Sequence, residues 1–218
     1  MKTAMKAWTT VGRPILLCLL LTLSGCFSLS RGAPAPQHYV LGADGPTDRA
    51  AEVERPAPEA AVVGLRPPRL ADYLASPFIV VRRGTHRIGF SEFHRWGEDL
   101  APGVSRTLAR RMAARSPAHR VESAPWPPAA QPEYTIQVHL LRFEGVAPPA
   151  PLASTGEAHL LATWEILGSG DEAVLGSGTT EVRSGGWTVG DFDGLVSLLD
   201  AALDTLADDL VLELERVI

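Results

Sequence analysis

The chain has 218 residues, a formal charge of -5 and only two cysteines. An acidic chain of this size excludes a nucleic-acid binder, which needs clustered Lys and Arg to neutralise phosphates. Two cysteines exclude a disulfide-stapled scaffold.

The N-terminal residues carry a membrane signal. Lys2, Lys6 and Arg13 precede an apolar run from Ile15 to Leu23, and no acidic residue occurs before Asp44. This is the charged-then-apolar layout of a secretory signal peptide, expected over residues 1–25. The run breaks at Ser24-Gly25 after about nine residues, well short of the roughly 20 needed to span a bilayer. It closes in Leu23-Ser24-Gly25-Cys26, which resembles the bacterial lipobox: small residues fit a peptidase cleft, and the Cys26 thiol is the nucleophile to be acylated. Cys18 lies in the segment to be removed, so the mature chain keeps one cysteine and can close no internal disulfide. Loss of Lys2, Lys6 and Arg13 takes the charge from -5 to -8, leaving attachment to the lipid rather than to charge. Phe27 follows the cysteine in place of an aspartate, which favours the outer membrane where Asp-based sorting operates.

Residues 26–37 read as a lipidated flexible tether and 38–218 as one folded domain. His38 to Gly42 is a short strand candidate and Ala43 to Glu59 a loop. Ala60 to Leu65 suits a buried strand, stopped by Pro67-Pro68, and Leu70 to Leu74 a helical turn. Phe78 to Arg82 and His86 to Phe90 flank Gly84, a hairpin pattern. Leu100, Val104, Leu108 and Met112 recur every four residues, predicting a helix between Trp96 and Arg115 that becomes regular near Ala101. Its arginines, Arg106, Arg110, Arg111 and Arg115, read as a solvated face in preference to an anion site. Tyr134 to Leu140 alternates apolar and polar residues. With Glu157 to Leu167 and Ala173 to Arg183 it predicts an antiparallel meander. Phe192 to Leu214 is a long amphipathic helix with Asp193, Asp200, Asp204 and Asp208 near its polar side. The expected class is α/β: a mixed sheet with an antiparallel meander, covered by two main amphipathic helices.

Catalytic signals are weak. The six histidines form no tight ligand pair, and His139 with His159 would leave a zinc site incomplete. Gly168-Ser169-Gly170 and Gly176-Ser177-Gly178 are turns rather than nucleophile or phosphate motifs. Glu92 and Glu98 read as residues of a helix start rather than an acid and base pair. No catalytic residue, metal ligand or cofactor is expected beyond the covalent lipid on Cys26.

The segment Tyr73-Leu74-Ala75-Ser76-Pro77-Phe78-Ile79-Val80-Val81-Arg82, followed by Glu92-Phe93-His94-Arg95-Trp96-Gly97-Glu98-Asp99-Leu100, resembles the signature of the ABC-type transport auxiliary lipoproteins, the PqiC-like family. Gly97 and Asp99 depart from its usual alanine and proline at the start of the helix. The resemblance implies a non-enzymatic, periplasm-facing lipoprotein working with an MCE-domain protein and inner-membrane transport components, in a homo-oligomeric ring. A lipoprotein chaperone for outer-membrane assembly is the alternative, and a lipid-anchored hydrolase ranks last. Phe93, Arg95 and Trp96 serve either the core, which is favoured, or a protein interface.

Overall fold

A computed structural model describes residues 34–42, 60–116, 119–126, 131–149, 155–170 and 173–218. The expectations for the signal peptide, the lipobox with Cys26, and the 43–59 loop lie outside these residues. The compact unit comprises residues 36–218.

Among the described residues nine strands form one mixed sheet: β1 (Gln37–Tyr39), β2 (Ala61–Leu65), β3 (Arg69–Leu70), β4 (Phe78–Arg83), β5 (Arg87–Trp96), β6 (His119–Ser123), β7 (Tyr134–Ala147), β8 (Thr155–Gly168) and β9 (Val174–Thr188). Among the described residues the α-helices are α1 (Leu100–Arg115) and α2 (Phe192–Val217), and a 3-10 turn spans Asp72–Leu74, within the expected helical turn. The α/β class and the meander are as expected: β7, β8 and β9 pair antiparallel over almost their full lengths. The other edge of β7 is shared by β2, β3 and β4 in succession, all parallel to it. β6 extends the sheet from β2, and β5 then β1 extend it from β4.

Strand β7 shows why one face is dry. Ile136, Val138 and Leu140 are buried; the pairing shifts register between Leu140 and Arg142, and Phe143 and Ala147 resume the buried row. Leu160, Ala162 and Ile166 on β8 complete this face. α2 covers it with Leu195, Leu199, Leu203, Leu206, Leu210 and Leu214, and α1 adds Val104, Leu108 and Met112. Asp191 caps α2 by accepting a hydrogen bond from the Gly194 amide at 3.0 Å.

Gly84 turns the β4–β5 hairpin at φ +70°, a left-handed conformation that strains any residue with a Cβ. Gly178 has a different reason: a Cβ there would stand 2.4 Å from the Trp164 ring, which crosses it from the paired position on β8. Trp164 donates to the Thr180 hydroxyl at 3.1 Å, and that hydroxyl donates to Asp209 of α2 at 2.6 Å, tying the meander to the helix.

The α1 arginines are a solvated face only in part: Arg106 and Arg110 are exposed, as expected, whereas Arg111 and Arg115 turn into α2. Arg111 donates to Asp200 Oδ2 at 2.7 Å and lies 3.3 Å from Asp204, while Arg115 bonds Asp204 at 2.6 Å and also Asp208. Arg106 takes Glu98, and Arg110 donates to the Gly42 carbonyl at 2.8 Å. Two helices with charges spaced by one turn thus form an interhelical ladder. Because Arg111 is mostly buried, we expect Arg111→Ala to lower unfolding free energy by about 2 kcal/mol, the range for hydrogen bonds to charged groups. Urea titration measures this.

Candidate interaction surface

Both helices lie on one face, so the other face of the meander is free for polar groups. Register places Glu144 of β7 opposite His159 of β8, and His159 opposite Arg183 of β9. One step along, Glu157 lies across from Gly185. Glu144 has no exposed side-chain surface and is held by Arg82, whose Nε and Nη2 donate to its two oxygens at 2.5 and 3.2 Å; Arg142 adds a longer contact at 3.4 Å. The Tyr73 ring lies under the Arg82 guanidinium at 5.8 Å, and its hydroxyl pKa is pushed up to about 12 by burial and then by the Glu144 charge.

His159 Nε2 lies 3.0 Å from Glu181, whereas its Nδ1 is buried without a protein partner. Arg183 clamps Glu181 and Glu157, each at 2.9 Å. Arg82, Arg142, Glu157, His159 and Arg183 line an open cavity of about 720 Å³ at one end of the sheet, bordered by Gly84 and Thr85 of the hairpin, Pro148, Pro149 and Gly186. Its chemistry is balanced ion pairing, suited to holding a polar surface rather than to bond cleavage.

Burial of His159, and next the charge of Arg183, hold its pKa below the ordinary 6.5 against the opposing pull of Glu181. The folded state therefore keeps the ring neutral. That stabilisation is fully present above pH 6.5 and is lost as pH falls through the lower folded value. A urea midpoint that declines from pH 7 towards pH 5, with a smaller decline in His159→Gln, is the expected result.

The motif residues separate in space. Trp96 is only 7% exposed and packs 5.8 Å from the Phe143 ring. It belongs to the core, the use favoured from sequence. Arg95 spreads over the Phe78 ring at 4.7 Å, and Phe93 remains 37% exposed. His94 stacks on Phe192 at 3.9 Å and meets the Tyr39 hydroxyl at 2.9 Å, fastening β1 and β5 to α2. Glu98 is engaged by Arg106, and the Glu92 side chain is exposed. His139 pairs with Thr163 and His159 with Glu144, so the two histidines sit four residues apart along β8, about 13 Å. Among the described residues no group of three His, Cys, Asp or Glu can hold a metal, and no helix is long and apolar enough to cross a membrane.

The model of a family described as ABC-type transport auxiliary lipoprotein component matches residues 39–211. The chain belongs to this family. Family membership makes it an auxiliary lipoprotein of a transport system, which is not a class of enzyme. In solved structures, it is similar to protein XCC0632 from Xanthomonas campestris, at 18% identity over 84% of this chain and 95% of that one, with a TM-score of 0.59. A crystal structure of an uncharacterized protein is similar at 15% identity over 71% and 92%, with a TM-score of 0.54. Both likenesses concern the fold. A comparison with curated proteins finds no significant match.

The charged row on the free face escaped sequence reading because Arg82, Glu144, His159 and Arg183 come from four strands. The one signal in the sequence was the presence of Arg142, Glu144, Glu157, His159, Glu181 and Arg183 at alternate positions of strands otherwise rich in apolar residues.

Proposed function

We propose that this auxiliary lipoprotein is the anchored docking subunit of an MCE/ABC-type intermembrane lipid transport system, held by acyl chains on Cys26, facing the periplasm from the outer membrane. The observation that carries this reading is the family match across residues 39–211. The site chemistry supports it. Ion pairs, buried at Arg82–Glu144 and exposed at Arg183–Glu157, give a polar surface suited to a subunit that binds rather than turns over substrate. Lipid tails crossing the periplasm must be shielded from water, because each exposed CH2 carries about 0.8 kcal/mol. An anchored subunit fixes one end of the conduit that shields them. Its partners are an MCE-domain protein and inner-membrane components, and the subunit itself forms a homo-oligomeric ring.

The genetic test is epistasis. Deleting this gene, the partner MCE-domain gene, or both should produce the same change in the distribution of newly made phospholipid between the two membranes. Additive defects, or loss of outer-membrane protein assembly with lipid traffic intact, would oppose the proposal.

A further inference from the structure

We propose that the β4–β5 hairpin and the outward side of β5 contact the membrane, seating on negatively charged phospholipid headgroups. This rests on the reading that Cys26 is acylated. Phe90 and Phe93 are 46% and 37% exposed on a strand whose neighbours bury their apolar side chains. Phe90 meets Phe78 edge-on at 6.4 Å, and Arg95 stands 4.7 Å over that same Phe78 ring, so aromatic and cationic groups form one patch. Arg83 and Arg87 pair at the base of the hairpin on the face opposite Phe90, so the two kinds of group flank its exposed tip, Gly84-Thr85-His86, from either side.

Charge singles out this arm. Residues 78–96 contain four arginines and one acidic residue, Glu92, in a chain whose net charge is -5. Arg82 is engaged by Glu144 and Arg95 donates to the Glu92 carbonyl at 3.4 Å, which leaves Arg83 and Arg87, in no ion pair among the described residues, as the cations for headgroups. Guanidinium groups match phosphate oxygens, and rings partition to the depth of headgroups. A few cations near an anionic leaflet are too weak for independent binding.

The tether resolves that weakness. Eleven peptide units separate Cys26 from Gln37, a reach of no more than about 40 Å. Gln37 is paired with His94 on β5, the strand that carries Phe90 and Phe93. An acylated Cys26 therefore holds lipid within reach of this patch at high effective concentration, and weak contacts suffice.

The test uses the mature acylated protein in vesicles. Acylation leaves it without a free thiol, so His86→Cys at the hairpin tip and Thr205→Cys on α2 each create a single site for an environment-sensitive maleimide dye. In vesicles containing phosphatidylglycerol, the dye at position 86 should shift to the blue and be quenched by brominated lipid. The shift should vanish in pure phosphatidylcholine, at 1 M salt, or when Arg83 and Arg87, neither of them in the buried core, are changed to Glu. The dye at position 205 should report water throughout. A water-like signal from position 86 in both vesicle types would overturn the proposal, as would a shift seen only on addition of a partner protein. Labelling of the wild-type protein would instead reveal a free Cys26 and overturn the anchor reading itself.

Discussion

Arg82→Met is expected to destabilise the domain by about 3–5 kcal/mol, the cost of leaving a buried charge without its main partner. Glu144 has no exposed side-chain surface, and Arg82 supplies its two short hydrogen bonds. Arg142 is half-exposed and 3.4 Å away, too distant to replace them. Replacing Glu144 by Leu in the same chain removes the orphaned charge, so the double variant should recover much of the loss. Urea denaturation of the two single variants and the double variant closes the cycle. A loss below about 1 kcal/mol for Arg82→Met would mean that water, rather than the guanidinium, solvates the carboxylate.

The second large effect concerns the anchor. Cys26→Ser should abolish acylation altogether, because a serine hydroxyl at ordinary pKa is a far weaker nucleophile than a thiolate. The protein should incorporate no alkynyl-palmitate label, retain its first 25 residues and disappear from the outer-membrane fraction. Several acyl chains bind a bilayer essentially irreversibly at about 0.8 kcal/mol per buried CH2, so no gradual weakening is expected. A Cys26→Ser protein still found labelled and in the outer membrane would place the lipid elsewhere.

Much of the fold could be read from local periodicity. The four-residue repeat from Leu195 to Leu214 and the alternation from Tyr134 to Leu140 each belong to a face that one element buries by itself. What escaped depended on partners. β3 and β6 are two and five residues long and exist because β7 and β2 pair with them. β7 runs on to Ala147 because an irregularity at Leu141 restores its buried row, which a strict two-residue alternation cannot anticipate. β5 continues through Trp96, so Glu92, expected beside a helix start, lies in a strand, while Glu98 stands just before α1. The α1 arginines illustrate the same limit. Their spacing matches that of Asp200, Asp204 and Asp208, yet only the packing of α1 on α2 turns two charged faces into one ladder.

The candidate surface was legible in part. Sizes and neighbours favour core use for Phe93, Arg95 and Trp96 alike, and of the three only Trp96 is buried, whereas the Arg82–Glu144–His159–Arg183 row required a register set by pairings as distant as that of Val81 with Gly145.

The most direct measurement is mild-detergent purification of the full-length protein from its native membranes after in-cell cross-linking, with mass spectrometry of its N-terminus and of the proteins joined to it. Our account predicts an acylated N-terminal Cys26 recovered together with an MCE-domain protein. An acylated Cys26 joined only to outer-membrane assembly factors would contradict the transport role, and an unmodified cysteine would contradict the anchor.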